Sequence, residues 1–228
     1  MPSKIKRESL ATRYNTQDIL TEVGIDEAGR GSFWGPLMAA AVIWPPEHMW
    51  TDEHRSLAPK IQDSKRISKI QRPIIAAKIR TLALATAVGR VEAAELEIRG
   101  VTWANQEAFR RALGGIHVAY DRVLIDGILD IGEECDKEII TVVDGDATYL
   151  SIAAASILAK VAHDEAIRTW CEANTNDAVK YDLLSSMGYG TARHRKAIQD
   201  FGVLADHRKI YLKKTLGLSS PAGDYLMD

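Results

Sequence analysis

The chain has 228 residues, the length of one large domain or of a domain with an appendage. Its 46% hydrophobic and 26% charged residues suit a protein that buries a core, and the longest apolar run, residues 37–44, is far shorter than the ~20 residues that span a bilayer. A formal net charge of -2 excludes a uniformly basic nucleic-acid-binding surface. The two cysteines lack a C-x-x-C spacing, which argues against a disulfide scaffold or a cysteine-based zinc site and predicts a cytoplasmic location.

Hydrophobic patterning along the chain predicts an α/β protein. Residues 1–20 are polar and are predicted to form a flexible arm with a short helix. Strands are predicted over residues 21–26, 37–44, 85–92, 122–126 and 138–143, with a glycine-rich connection at 28–36. Helices are predicted over residues 73–84, 101–120, 149–170 and 191–201. An antiparallel opening followed by strands interleaved with helices favours a mixed sheet covered by helices.

Carboxylates follow three of the predicted strands. Asp26 and Glu27 end the first strand, Asp126 ends the fourth, and Asp144 and Asp146 follow the fifth. Asp-Gly is a common turn, so each acid alone has a structural explanation. If these acids converge beyond the strand ends, repulsion between their negative charges would raise their pKa values. A bound divalent cation would offset that repulsion. Oxygen ligands without histidine or thiolate favour magnesium or manganese over zinc.

The adjacent acids Asp26 and Glu27 pose a geometric problem. Neighbouring residues of a regular strand point to opposite faces of the sheet, so both side chains cannot enter one pocket. Either the chain turns at Ala28 and Gly29, or one of the two acids contributes through its backbone carbonyl. The sequence leaves both explanations open.

A series of short motifs lies within about residues 21–212. It opens with Gly-Ile-Asp-Glu-Ala-Gly-Arg-Gly at 24–31 and Gly-Pro-Leu-Met-Ala-Ala-Ala-Val at 35–42. Asp-Ser-Lys at 63–65, Leu-Ile-Asp-Gly at 124–127 and Gly-Asp at 145–146 follow, then Ser-Ile-Ala-Ala-Ala-Ser-Ile-Leu-Ala-Lys-Val at 151–161 and Gly-Tyr-Gly-Thr at 188–191. In this order the motifs strongly resemble the ribonuclease HII family. Ribonuclease HIII is a poorer match, because its opening motif differs.

This resemblance implies a fold, a reaction and a set of catalytic residues. The implied fold is α/β, a ribonuclease H-like mixed five-stranded sheet flanked by helices, with a C-terminal helical extension. The implied reaction is endonucleolytic hydrolysis of the RNA strand of RNA–DNA hybrids and on the 5′ side of ribonucleotides embedded in duplex DNA, leaving a 3′-hydroxyl and a 5′-phosphate. It implies roles in ribonucleotide removal and RNA primer removal, and Mg²⁺ or Mn²⁺ at a two-ion site. Carried over by motif, the catalytic and metal-binding residues are Asp26, Glu27, Asp126 and Asp146.

The resemblance also implies which residues bind the substrate. The backbone of Gly29, Arg30 and Gly31 contacts the nucleotide that carries the 2′-hydroxyl, where glycine allows a close approach. Tyr189 stacks on the sugar at the RNA–DNA junction. Lys65 contacts the substrate backbone.

Three further features are weighed against plainer explanations. Asp144 stands where the family usually has lysine, and we expect it to face solvent while Asp146 is catalytic. Asp164 shares one helical face with Lys160 and Arg168 and is predicted to form structural ion pairs. His194 fits a surface position as well as a functional one.

Basic residues concentrate near the C-terminus and are predicted to form a phosphate-contacting surface that orients a duplex without recognising its base sequence. These residues are Arg193, Arg195, Lys196, Arg208, Lys209, Lys213 and Lys214. Residues 221–228 are interpreted as a tail, because they contain no convincing aromatic-pair motif for binding a clamp.

The predicted organisation is a flexible arm at 1–20, a catalytic domain at 21–190, and a C-terminal helical extension and tail at 191–228 packed on the same domain. The predicted partners are RNA–DNA hybrid and duplex DNA containing ribonucleotides, with no membrane, no obligatory protein partner and a monomeric state. Two alternatives are a catalytically silent nucleic-acid-binding protein and a DNA nuclease or junction resolvase on the same scaffold. The intact acids argue against the silent protein.

Overall fold

In the computed structural model, which describes residues 9–129, 131, 136–213 and 217, five strands form one mixed sheet. The strands are β1 (Glu22–Ala28), β2 (Leu37–Ile43), β3 (Ala85–Val91), β4 (Arg122–Asp126) and β5 (Glu138–Val142). Their order in the sheet is β3-β2-β1-β4-β5. The pairs β3–β2 and β2–β1 are antiparallel, and β1–β4 and β4–β5 are parallel. The predicted mixed five-stranded sheet is confirmed, and β1 continues two residues beyond the predicted end at Asp26.

Nine α-helices surround this sheet within the described ranges. They are α1 (Asp52–Leu57), α2 (Gln71–Leu82), α3 (Ala93–Arg99), α4 (Val101–Gly114), α5 (Leu150–Ala173), α6 (Thr175–Lys180), α7 (Leu183–Ser186), α8 (Ala192–Phe201) and α9 (Lys209–Leu212). The helix predicted over 101–120 is wrong in its last six residues. It ends at Gly114, and Gly115 follows, because consecutive glycines lose too much backbone entropy to extend a helix.

The two faces of the sheet pack on different helices. Alternate residues of β2 separate accordingly: Ala40 and Val42 pack with α2 and α5, while Ala39 and Ala41 pack with α4. Small residues bring α5 close to the centre of the sheet, and a Cβ added at Gly24 of β1 would overlap the backbone of α5. The position of β1 is therefore set by direct contact with α5.

Residues 9–20 pair with the segment that precedes α5. Ala11 forms an isolated parallel bridge with Tyr149, its N–H donates to the carbonyl of Thr148 at 2.8 Å, and the N–H of Leu150 donates to the carbonyl of Ala11 at 2.9 Å. The short helix predicted within residues 1–20 is absent from residues 9–20, because the backbone here bonds to this segment instead. Residues 1–8 lie outside the described residues.

The C-terminal elements pack around a third cluster of buried side chains. Trp34, from the connection between β1 and β2, belongs to this cluster together with Ile167 of α5 and residues of α6 to α9, including Leu212. Trp34 is thus covered by α5 to α9. Across the ranges that the structure describes, no helix has the length and apolar character needed to cross a bilayer.

Candidate active site

Parallel pairing of β1 with β4 places two acids at one end of the sheet. The register pairs Ile25 with Ile125, and the next residue of each strand is an aspartate, Asp26 or Asp126. Side chains at matched positions of neighbouring strands point to the same face. Asp26, only 6% exposed, therefore lies on the same face as Asp126, at the carboxyl ends of the parallel strands.

A short helical turn after β5, Gly145–Ala147, brings Asp146 to Asp126. The N–H of Gly145 donates to Oδ1 of Asp126 at 2.7 Å, and the N–H of Asp146 lies 3.4 Å from the same oxygen. Asp144 begins this turn in a left-handed conformation (φ 54°) with an exposed side chain, whereas Asp146 is half-buried. The prediction that Asp144 faces solvent is confirmed.

The acids interact through their charges. Burial raises the pKa of Asp26 well above its ordinary value, and the charges of Glu27 and Asp126 raise it further. Burial also raises the pKa of Glu27 and of Asp146, and Asp126 contributes to both shifts. Arg30 lies 3.8 Å from Glu27 and only partly offsets these effects. This end of the sheet thus carries an excess of negative charge.

Asp26 and Glu27 nevertheless project to opposite faces of the sheet, because the pairing of β1 with β2 stays regular through Ala28. Asp26 accepts a hydrogen bond from Ser156 of α5, while Glu27 accepts one from Asn105 of α4. The explanation by a turn at residues 28 and 29 is therefore wrong, since that turn comes after the strand has already separated the two acids. A contribution through a backbone carbonyl stays a prediction.

The four acids supply only oxygen donors, the ligands that Mg²⁺ and Mn²⁺ prefer. Among the residues that the structure describes, no three His, Cys, Asp or Glu side chains lie close enough together to form a ready-made metal site. The acids thus influence one another over longer distances than direct ligation of one ion requires. The oxygen donors of the four acids, together with the raised pKa values of Asp26, Glu27 and Asp146, fit a hard divalent cation, which would offset the repulsion.

The loop at residues 63–65 reaches the site from a third direction. Lys65 is exposed, and its positive charge opposes the effects that raise the pKa of Asp146. The buried hydroxyl of Ser64 lies 3.1 Å from that of Ser156, which in turn bonds Asp26. Sequence reasoning selected Lys65 and missed both serines. The only signal for Ser156 was a polar residue within an alanine-rich helix.

The turn after β1, residues 29–31, lies beside Tyr189. Gly29 has a φ of 81°, which strains any side chain, and a Cβ there would collide with the His163 ring. The N–H of Gly29 donates to Oη of Tyr189 at 3.3 Å. A Cβ at Gly31 would meet no atom within 4 Å, and the Arg30 side chain is exposed, so the turn faces open space. The structure places these candidate substrate-binding residues together.

The neighbours of Tyr189 belong to α5. Nζ of Lys160 lies 5.0 Å from the centre of the Tyr189 ring, and the His163 ring lies 5.6 Å from it. Lys160 also pairs with Asp164 at 2.7 Å, as predicted, but the second cationic partner of Asp164 is Arg72 at 3.4 Å rather than Arg168. Burial alone would raise the pKa of Asp164, yet hydrogen bonds from His163 and Lys160 hold it below the ordinary value.

A buried pair of histidines supports Tyr189 from behind. His194 and His207 are at most 1% exposed, so the surface placement considered for His194 is wrong. Their Nε2 atoms lie 3.0 Å apart. The N–H of Leu204 donates to Nδ1 of His207 at 2.7 Å, and Nδ1 of His194 lies 3.0 Å from the carbonyl of Tyr189. This pattern assigns one proton arrangement with both rings neutral: His207 donates to His194, and His194 donates to Tyr189.

The predicted basic surface needs one correction. Arg208 is 0% exposed and does not belong to any surface, because its side chain is enclosed by the connection between β1 and β2. Lys214 lies outside the described residues. The exposed members are Arg193, Arg195, Lys196, Lys209 and Lys213.

Comparison with known proteins gives a family match over most of the chain. The family model described as Ribonuclease HII matches residues 23–212. Ribonuclease HII of Prochlorococcus marinus is 37% identical over 85% of this chain and 97% of its own length. Ribonuclease H2 of Pyrococcus horikoshii OT3 superposes with a TM-score of 0.70 at 23% identity, covering 87% of this chain and 98% of that one. The ribonuclease HII of Archaeoglobus fulgidus, solved as a complex with PCNA, gives a TM-score of 0.68 at 25% identity over 83% of this chain and 94% of that one.

Proposed function

Since the chain belongs to the ribonuclease HII family and is a ribonuclease H enzyme, we propose that it hydrolyses the RNA strand of RNA–DNA hybrids and nicks duplex DNA on the 5′ side of an embedded ribonucleotide. The products are a 3′-hydroxyl and a 5′-phosphate, and the cellular roles are ribonucleotide removal and RNA primer removal. The observation that supports this proposal best is the proximity of Asp26, Asp126 and Asp146 at one end of the sheet.

Asp26, Glu27, Asp126 and Asp146 are the residues proposed to hold Mg²⁺ or Mn²⁺ at a two-ion site. When bound, such ions activate water and stabilise the leaving oxygen of a phosphodiester. The protein's own part is to keep these acids desolvated and in place. Ser156 bonds Asp26, Asn105 bonds Glu27, and the Gly145 N–H bonds Asp126, so each of these three acids has a fixed partner.

Selection of a ribonucleotide is assigned to residues 29–31 and Tyr189. Backbone groups of the glycine-rich turn come close to a sugar because no Cβ intrudes, and the 2′-hydroxyl is the group that distinguishes RNA from DNA. Tyr189 would pack against the same sugar. Lys65 and the exposed basic residues of α8 and α9 would contact phosphates and orient the duplex. The proposed partners are RNA–DNA hybrid and duplex DNA containing ribonucleotides, with no obligatory protein partner and a monomeric enzyme.

The decisive assay compares three duplexes of the same sequence: all-DNA, DNA with one ribonucleotide, and an RNA–DNA hybrid. In Mg²⁺ we expect one nick 5′ of the single ribonucleotide, several cuts in the hybrid and none in all-DNA, with all activity abolished by EDTA. Cleavage of all three duplexes at similar rates would instead identify a DNA nuclease on this scaffold. Sequencing-gel mapping of labelled ends checks the product chemistry.

The two aspartates of the turn after β5 provide a matched pair of variants. Asp146→Asn should lower kcat by about 100-fold or more, because a carboxylate next to the cation site contributes several kcal/mol to transition-state stabilisation. Asp144→Asn should stay within about twofold, since its side chain is exposed and asparagine tolerates the left-handed backbone. A larger loss at Asp144 would overturn the assignment of Asp146.

A further inference from the structure

Arg208 is a buried cation surrounded by backbone carbonyls. Its Nη1 donates to the carbonyls of Gly29 at 2.6 Å and Arg30 at 3.0 Å, and its Nε donates to the carbonyl of Gly35 at 2.9 Å. Within the described part of the chain it forms no ion pair with a carboxylate, and Nη2 has no hydrogen-bond partner there. Burying a guanidinium in this way is costly, so the contacts that it makes need an explanation.

The same carbonyls are held by further groups of the C-terminal segment. Oη of Tyr211 donates to the carbonyl of Arg30 at 2.7 Å, and the Tyr211 ring stacks on Phe33 with an interplanar angle of 12°. The backbone N–H of Arg208 donates to the carbonyl of Phe33 at 2.7 Å. Arg208 and Tyr211 thus engage two successive carbonyls of the turn at residues 29–31.

The carbonyl and the N–H of a trans peptide point in opposite directions. Holding the carbonyls of Gly29 and Arg30 on one side therefore turns the N–H groups of Arg30 and Gly31 to the other, where they form a concave donor site for an oxygen ligand. The opposite side of this turn is open, as the empty surroundings of Gly31 indicate. An arginine suits this task because its planar fork presents donors in several fixed directions, whereas lysine is a compact point charge. Burial lowers the pKa of Arg208 to about 10. Because this value is still well above 7, the guanidinium stays protonated at neutral pH.

We propose that Arg208, assisted by Tyr211, is a positioning residue for ribose recognition. It holds the carbonyls of Gly29 and Arg30 toward the interior so that the N–H groups of Arg30 and Gly31 face the 2′-oxygen of the ribonucleotide. The inference rests on the proposed function of residues 29–31. It extends that function to Arg208 and Tyr211, which lie nearly 180 residues further along the chain. Neither of these two side chains touches the substrate.

The test measures selectivity rather than activity alone. Dissociation constants are determined by fluorescence anisotropy in EDTA for an all-DNA duplex and for the same duplex with one ribonucleotide. The variants are Arg208→Lys, which keeps the charge but not the fork, and Tyr211→Phe, which removes only one hydroxyl from a half-buried ring. Lys209→Met is the matched control, since it removes an adjacent exposed cation. Circular dichroism and thermal unfolding establish that each variant is folded.

We expect Arg208→Lys to reduce the preference for the ribonucleotide duplex by about tenfold and Tyr211→Phe by about threefold, the effect of losing one or two positioning hydrogen bonds. Affinity for all-DNA should be unchanged in both. Lys209→Met should weaken both duplexes equally and keep their ratio. A folded Tyr211→Phe and Arg208→Lys with wild-type ratios, or with parallel losses on both duplexes, would overturn the inference.

The same experiment separates this inference from the proposed function. If the wild-type enzyme fails to nick the ribonucleotide duplex in Mg²⁺, the proposed function is wrong. If it nicks that duplex but binds the two duplexes equally in EDTA, the turn does not recognise the ribose unaided and the role given to Arg208 is wrong.

Discussion

Acidification is expected to destabilise this protein through His207, and His207→Asn should remove that part of the dependence. Burial lowers the pKa of His207 to about 4, and the neighbouring His194 lowers it as well. In the unfolded chain the same group has a pKa of about 6.5. Below about pH 6.5 this histidine is protonated in the unfolded chain, whereas in the folded protein it takes up a proton only near pH 4. The contribution of His207 to the free energy of unfolding is therefore complete above about pH 6.5 and is lost as the pH falls toward 4.

The size of the effect follows from these two pKa values. Between about pH 7.5 and about pH 4.5 the difference in proton binding removes about 2.5 kcal/mol from the free energy of unfolding. The proton arrangement of the histidine pair has the same consequence. A second proton on His194 would place two Nε2 donors face to face across 3.0 Å, and a second proton on His207 would place its Nδ1 donor against the Leu204 N–H across 2.7 Å. Asp26, Glu27 and Asp146 act in the opposite direction, since their raised pKa values favour the folded state as the pH falls.

Comparing variants isolates the contribution of His207 from these acids. Urea unfolding at a series of pH values gives the free energy of unfolding of wild type, His207→Asn and the control His117→Asn, which changes an exposed histidine. The asparagine oxygen can still accept the Leu204 N–H, and it does not titrate. The difference between wild type and His207→Asn should shrink by about 2.5 kcal/mol on going to about pH 4.5. A constant difference over this range would refute the reasoning.

Three further predictions concern packing, recognition and charge. Gly24→Ala should lower the free energy of unfolding, measured in urea, by about 1–3 kcal/mol, because the new Cβ would overlap α5. Gly114→Ala is the control and should leave the free energy of unfolding unchanged, because a Cβ there meets no atom within 4 Å. Tyr189→Ala should lower cleavage at a single ribonucleotide by about tenfold, the loss of one aromatic stacking partner, with the fold retained in circular dichroism. Unchanged selectivity would remove Tyr189 from the site. Duplex binding through about three phosphates should weaken about 40-fold when salt rises fourfold, and a flat salt titration would contradict the basic surface.

The position of the acids at one end of the sheet could be predicted from the sequence, because it depends only on where each acid stands relative to its own strand. Asp26 and Asp126 each end an apolar run, and parallel strands bring equivalent ends together. The divergence of Asp26 from Glu27 also followed from strand geometry. What could not be predicted was the extent of β1 through Ala28, which depends on its pairing with β2.

The buried polar residues behind the site were beyond sequence reasoning for a physical reason. Arg208 lies in a basic segment typical of an exposed face, and only its contacts with Gly29 and Gly35 reveal that it is enclosed. His194 is similar, since its partner His207 is thirteen residues away and outside its own helix. Local pattern indicates which face of a helix is apolar but not which polar residue will find a distant partner.

The close contact between α5 and β1 has a consequence for how the cut position is chosen. Ser156 bonds Asp26, while Lys160 and His163 lie against Tyr189 further along the same unbroken helix. From Ser156 to His163 the helix advances about 10 Å. Under the proposed function, this helix fixes the distance between the acids that hold the metal ions and the sugar that Tyr189 contacts. Inserting one residue between them would rotate the two halves by about 100° relative to each other, so Ser156 and His163 could no longer face Asp26 and Tyr189 at the same time.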